Sequence, residues 1–391
     1  MKILRRLIPF LDDSVNTWAL EARLLRWLTL IWLFIGLVML FSASYPSAGI
    51  RYFQLQLVWV VVGLVASNIF INLPLRRLSN ISHWFIILLL LLIFVTLIPG
   101  LGKSDLGAAR RLLGPLPIQP SELIKPFLVI QSARLFGQWE KVSWKVRGFW
   151  LSIFTLIVLG ILAQPNLSTA SLCGMTIWLI ALAAGLPYKY LGGTAFGGIL
   201  LATLSISIRE YQRKRVMSFL NPWADATGNG YQLVQSLLAV GSGGRWGAGF
   251  GQSIQKLSYL PIQDTDFIFS VFAEEFGFVG CMVLFTLLAL YATLGLIVAF
   301  KAKNQVYRLI AIGITTVMVG QSLLHIGVTT GALPTTGLPL PLFSYGGNSM
   351  IASLVSAGLL IRVARESSEA EVVPINQEVS RVKRRRTTTT R

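Results

Sequence analysis

The chain has 391 residues, 54% of them hydrophobic and only 13% charged, whereas a soluble globular domain carries about a quarter charged residues. It is therefore read as an all-α polytopic membrane protein. The net charge of +18 does not argue for nucleic acid, because the basic residues flank apolar runs in the positive-inside manner; two cysteines inside apolar runs and two histidines exclude a disulfide framework and a His-based metal centre.

Lys2, Arg5 and Arg6 precede a short apolar stretch interrupted by Pro9, Asp12 and Asp13. That is too brief for a signal h-region, so residues 1–23 are expected to form a cytoplasmic amphipathic leader on the membrane. Apolar runs long enough for roughly 30 Å of hydrocarbon follow near 24–44, 53–73 and 81–99, then a polar-edged run at 119–137, then 149–164, 170–186 and 187–207. The last three are 266–300, 307–332 and 347–364, which makes about ten helices within a membrane domain spanning 24–365. Short-loop charge such as Arg76, Arg77, Arg134, Lys141, Lys301 and Lys303 falls on one side of a ten-helix chain and makes that side, with both termini, cytoplasmic. The opposite face then carries two sizeable loops, 100–118 and 208–265, the larger lying between helices 7 and 8. Residues 366–391, polar and ending in a basic run and four threonines, are expected to be a disordered basic cytoplasmic tail. Sequence shows no internal repeat, which weakens an inverted-repeat transporter.

Half of the 16 carboxylates cluster in or beside the two outer loops: Asp105 and Glu122 at the first, Glu210, Asp225, Asp264, Asp266, Glu274 and Glu275 at the second. Acids and unexplained bases share one face, the pattern of a charged, water-filled cavity opening there. Glu122 and Lys125, at i and i+3 in Gln119-Pro120-Ser121-Glu122-Leu123-Ile124-Lys125, lie on one helix face and can pair, which lowers the cost of placing either in the membrane. The glycine-rich stretch Gly241–Gly251 lacks the Gly-Lys-Ser/Thr of a phosphate loop; its glycines point instead to close packing of re-entrant backbone. Asp264 and Asp266 have two readings. Either Asp264 or Thr265 caps the following helix with Asp266 in its first turn, or a carboxylate at the lip of a membrane cavity is functional. Glu274 and Glu275, adjacent and so about 100° apart on a helix, are not expected to face one cavity together. The segment Leu333–Ser349, with three prolines and three glycines, is either a tight connection or a cavity wall presenting Ser344, Tyr345 and backbone amides.

These residues resemble the SEDS family, FtsW and RodA. The likeness rests on Ser42-Ala43-Ser44, Gln-Pro-Ser-Glu-x-x-Lys, Asn221-Pro222, Gly230-Tyr231-Gln232, Thr265-Asp266-Phe267-Ile268-Phe269 with Glu274-Glu275, and Ser344-Tyr345-Gly346-Gly347, in that order from about residue 24 to 365. Ser253-x-Gln255-Lys256-Leu257-x-Tyr259-Leu260-Pro261 and Leu333-Pro334-Thr335-Thr336-Gly337 look more like the division branch than the elongation branch. The chain departs from the family at Leu112, at Asn166-Leu167-Ser168-Thr169, at Ile262 and Asp264, and at Asn348.

The resemblance implies a peptidoglycan glycosyltransferase that polymerises lipid II outside the cytoplasmic membrane of a bacterium, at the division septum. It would work with an FtsI-like class B penicillin-binding protein and other divisome proteins. Asp266 is implied as the catalytic acid-base residue, with Glu122 and Lys125 in the polar cavity. Arg110, Arg111, Lys125, Arg213 and Arg215 are candidates to stabilise the departing diphosphate, and Lys256, Ser344 and Tyr345 are further candidate substrate contacts. No cofactor or protein metal site is expected, although a divalent cation bridging diphosphate to a carboxylate is compatible with the chemistry. Asp264, beside Asp266, is expected to tune it by repulsion. A lipid II flippase and a non-catalytic scaffold for the penicillin-binding protein remain open at this stage.

Overall fold

The structure is a computed structural model that describes residues 18–103, 111–112 and 118–369, with Lys103, Arg111, Leu112, Ser258, Ser368 and Glu369 described by backbone alone. The leader to residue 17, Asp105, Arg110 and the tail from residue 370 lie outside the described residues. Each predicted apolar run is a helix: α1 (Leu20–Ala48), α2 (Arg51–Asn72), α3 (Leu75–Val95), α4 (Pro120–Gly137), α5 (Trp144–Ala163), α6 (Leu167–Ala183) and α7 (Tyr188–Ile208). The region expected to be one large loop contains α8 (Glu210–Leu220), α9 (Tyr231–Ser242) and the single turn α10 (Gln255–Ser258). Then come α11 (Ile268–Lys301), α12 (Gln305–Thr329) and α13 (Gly347–Glu369).

Eight of these helices are long and apolar enough to cross a membrane. The two others at predicted crossings are α4, which carries Glu122 and Lys125, and α6, which is 17 residues long. The apolar share of each helix that faces protein decides its place: 83% of the best window of α13 is buried, against 11% for α7. Thus α13 is central and α7 peripheral. Lipid tails are as apolar as leucine, so helices associate by close approach rather than by a hydrophobic difference; α13 lies so near α2 that a Cβ on Gly358 would collide with Ser67.

Helix ends follow local chemistry. Asn166 caps α6 by accepting from the Thr169 amide at 3.1 Å, and Asn304 caps α12 through the Val306 amide at 2.9 Å. Glu366 takes the Leu75 amide at the start of α3 at 2.8 Å while paired with Arg362 at 2.5 Å. Those contacts carry α13 past the boundary expected at residue 365.

α11 is broken at Gly277, whose φ of 62° and ψ of −164° interrupt the helix. The backbone groups released there are taken up by the glycine-rich stretch: Ala248 and Gly249 amides donate to the carbonyls of Glu274 and Glu275 at 2.9 and 3.0 Å, and Phe278 and Val279 amides donate to Gly244 and Arg245 carbonyls at 2.9 and 3.1 Å. This reciprocal set satisfies donors and acceptors that membrane depth would otherwise leave unpaired. It needs glycine because a Cβ on Gly247, which also has φ 81°, would strike the Glu275 carbonyl. Gly247→Ala is expected to destabilise the protein by about 1–3 kcal/mol through overpacking and backbone strain. Thermal unfolding in detergent checks this, and a midpoint equal to wild type refutes the account.

Candidate active site

Asp266 lies in the turn that runs into α11, but the helix starts at Ile268 with Phe267 at its N-cap and no side-chain cap. The capping expectation for Asp264, Thr265 and Asp266 is therefore not met, since all three precede the cap. What fixes this turn is the outer segment before α13. The Tyr345 amide donates to the Asp264 carbonyl at 2.8 Å, and the Ser344 hydroxyl donates to the Thr265 carbonyl at 2.6 Å while accepting from the Leu340 amide at 2.8 Å. Gln56 on α2 closes the arrangement, donating to the Ser344 carbonyl at 3.3 Å and accepting from the Gly346 amide at 3.2 Å; Tyr52 stacks on Tyr345 with centroids 4.5 Å apart. Ile262 and Leu342 flank this zipper at φ 58° and 63°, values that cost a non-glycine residue free energy and persist only where neighbours enforce them. On the other side Gly337 borders Asp266: a Cβ there would sit 3.6 Å from Asp266 Oδ2, an ordinary van der Waals contact.

Ser344 is thus occupied in holding the Asp266 turn, and Tyr345 is half-buried against Tyr52. Ser344→Ala would strand a buried carbonyl and amide, a loss of about 1–3 kcal/mol that chemical denaturation measures; a change below a few tenths would contradict this role.

Glu122 and Lys125 are both buried and paired at 2.8 Å. Lys125 Nζ also donates to Gln321 Oε1 at 2.9 Å, and Gln321 Nε2 donates to the Pro339 carbonyl at 2.6 Å. A buried ammonium needs its remaining protons satisfied, and Gln321 does this while tying α4 through α12 to the segment that faces Asp266. A five-residue π-turn, Thr316–Gly320, precedes Gln321 in α12.

A second buried pair joins Lys256 to Glu275 at 2.5 Å, with Ser42 Oγ donating to Glu275 at 2.6 and 2.8 Å and accepting from Lys256 Nζ at 2.7 Å. The Lys256 ammonium is therefore directed at α1 and α11. Glu274 faces elsewhere, taking the Ser253 hydroxyl at 2.5 Å and the Ile254 amide at 2.9 Å. The two adjacent acids diverge as expected, and each fastens the stretch 253–256 to α11.

Among the bases, Arg213 is exposed, and Lys214 pairs with Glu210 at 2.9 Å in solvent. Arg215 lies over the Tyr211 ring at 4.6 Å and donates to the Thr335 carbonyl at 3.3 Å, two residues from Gly337. Arg111 pairs Lys103 in a short antiparallel bridge within the first outer loop. A cavity of about 420 Å³ is an apolar groove between Leu28 of α1 and residues Phe278 to Leu290 of α11, distinct from the charged cavity expected from sequence. Among the described residues no group of three or more His, Cys, Asp or Glu side chains is placed to hold a metal ion.

Burial holds the Asp264 carboxyl above the usual carboxylate range. A folded-state value raised above the unfolded one favours the protonated form, so its contribution is fully present below about pH 3.9 and lost as pH rises through the raised value. Asp264→Asn removes that dependence, and its stability relative to wild type is expected to improve from pH 3.5 to pH 7. A pH-independent difference would remove this assignment.

Sequence reasoning missed Gln56, Gln321 and the role of Ser42. The available signal was the same in each case, a polar side chain inside an apolar run.

A family model described as cell cycle protein, the FtsW, RodA and SpoVE group, matches residues 22–369. The chain belongs to the FtsW/RodA/SpoVE family. It is 55% identical to the probable peptidoglycan glycosyltransferase FtsW of Synechocystis sp. over 97% of this chain and 98% of that protein. It is 50% identical to the putative peptidoglycan glycosyltransferase FtsW of Mesostigma viride over 92% and 88%. Among solved structures, a chain of a peptidoglycan synthase complex for polymerization and crosslinking superposes with TM-score 0.71 at 30% identity, over 88% of this chain and 97% of that one. Rod shape determining protein RodA of Thermus thermophilus gives 0.65 at 29%, over 88% and 96%. This FtsW/RodA/SpoVE-family chain is thus a multi-pass membrane protein with a RodA-like fold.

Proposed function

We propose that this family member is a peptidoglycan glycosyltransferase that polymerises lipid II into glycan strands at the division septum, with Asp266 as general base. The activity is that named for its FtsW relatives. The observation that carries the residue assignment is the clamp on the Asp266 turn: two strained positions and several hydrogen bonds fix the turn that carries this carboxylate just before the N-cap of α11. Asp266 accepts the proton of the acceptor sugar 4-hydroxyl as that oxygen bonds to the anomeric carbon of the donor. The bond from that carbon to the diphosphate breaks, turning an α-linked donor into a β-linked product. The buried Lys125 of α4 and the outer-loop bases Arg110, Arg111, Arg213 and Arg215 are the proposed clamp on the leaving diphosphate.

In this reading the chain crosses a bacterial cytoplasmic membrane ten times with both termini cytoplasmic, and residues 208–265 face outward. The membrane domain covers 24–365, preceded by the amphipathic leader and followed by the basic tail. An FtsI-like class B penicillin-binding protein and other divisome proteins are its proposed partners. Likeness to a chain of a synthase complex supports a partnered enzyme.

The test supplies labelled lipid II to the purified protein with its partner and compares wild type with Asp266→Asn. Glycan chains growing equally in both remove Asp266 as base. Lipid scrambling without polymerisation in either would instead support a flippase, and glycan formed only when another polymerase is added would support a scaffold.

A further inference from the structure

The outer segment that faces Asp266 is held from α12 at two successive residues. Gln321 Nε2 donates to the Pro339 carbonyl at 2.6 Å, and His325 Nδ1 lies 2.8 Å from the Leu338 carbonyl. Positions 321 and 325 are one helical turn apart on one face, so the two side chains grip adjacent peptide groups. A carbonyl only accepts, so His325 must carry its proton on Nδ1. Both residues are buried, and His325 Nε2 has no hydrogen-bond partner among the described residues. An imidazole kept at the cost of an unpaired buried nitrogen is better explained by what its other nitrogen does than by packing. Leu338 follows Gly337, which lies beside Asp266 so that a Cβ there would sit 3.6 Å from Oδ2, and the segment continues to Ser344 and Tyr345, which bond the Asp266 turn itself.

We propose that Gln321 and His325 are positioning residues of the polymerisation reaction: together they set the height of the 337–345 segment over Asp266, and Gln321 couples that setting to the buried Glu122 and Lys125 pair. The inference rests on the reading of Asp266 as base. It extends that reading to two α12 side chains that need touch neither donor nor acceptor. The coupling has a direction that chemistry can separate. Gln321→Glu keeps an acceptor for Lys125 but places a carboxylate against the Pro339 carbonyl. His325→Leu removes the donor to Leu338, and His325→Asn returns one, because the asparagine amide nitrogen is as many bonds from Cα as Nδ1.

The experiment measures initial rates of glycan formation against lipid II concentration for the full-length protein with its partner, and hydrogen exchange across residues 338–345. Expected is a fall in kcat of about tenfold to a hundredfold for His325→Leu and Gln321→Glu with KM nearly unchanged, as misplacement of a reacting group produces. Exchange in 338–345 should be faster in both variants, and His325→Asn should recover most of kcat. Gln321→Glu keeps the test intact should the leucine variant not fold. An asparagine variant as impaired as leucine, a loss carried by KM alone, or unaltered exchange would each overturn the proposal. Asp266→Asn is run alongside: if it is inactive while the α12 variants are normal, the anchors alone fail, whereas an active Asp266→Asn overturns both readings.

Discussion

Asp266→Asn is expected to lower glycan polymerisation by about 10²- to 10⁴-fold, the usual contribution of a positioned general base, while leaving the fold intact. Asparagine keeps the shape of the side chain, and the zipper that holds the turn runs through the backbone carbonyls of Thr265 and Asp264, which the substitution leaves in place. The loss should therefore appear in kcat, with thermal unfolding near that of wild type. Asp266→Glu tests geometry: one added methylene displaces the carboxylate from its place beside Gly337, and misplacement of a reacting group costs rate, so a large loss is expected there too. Full activity in the asparagine variant would end the assignment.

The second large effect concerns stability. Lys256 and Glu275 form a buried pair shared with Ser42, and removing one partner leaves a charge without its counter-ion, typically costing about 3–5 kcal/mol. Glu275→Leu is expected to show that loss in denaturant unfolding from mixed micelles. The double variant Lys256→Met, Glu275→Leu should recover most of it, because apolar groups of similar volume replace a buried pair at little cost. Equal destabilisation in the single and double variants would show that the pair acts through its packing volume and not its charge. The stretch 253–256 also carries Ser253, which bonds Glu274, so both adjacent acids of α11 would have to be lost to release this part of the outer region.

How much of this was legible follows from length scale. The apolar runs from 24–44 to 347–364 each coincide with a helix, because hydrocarbon admits little else, and the i, i+3 spacing of Glu122 and Lys125 gave their ion pair because a helix fixes which side chains meet over one turn. The glycine-rich stretch was readable as close backbone packing, though not its partner, since Gly277 lies 30 residues beyond Gly247 with nothing local to connect them. Capping at Asp264 to Asp266 was the plausible local reading and failed because α11 begins later, at Ile268. Lys256 was a candidate substrate contact, and only its distance to Glu275 and Ser42 revealed where its charge goes.

Sequence by itself therefore determined the membrane class, the helical nature of the apolar runs and the family, and supplied the proposal of a working carboxylate at position 266; all depend on composition, period and contiguous motifs. Tertiary structure decided what surrounds that carboxylate. Ser344, Tyr345, Gln56, Gln321 and His325 converge on it or on the segment facing it from α2, α12 and the approach to α13. The physical reason is that a side chain hydrogen bond reaches about 3 Å, whereas its partners here are separated by up to 290 residues of chain; no local pattern encodes such a meeting, and only the packed bundle brings it about.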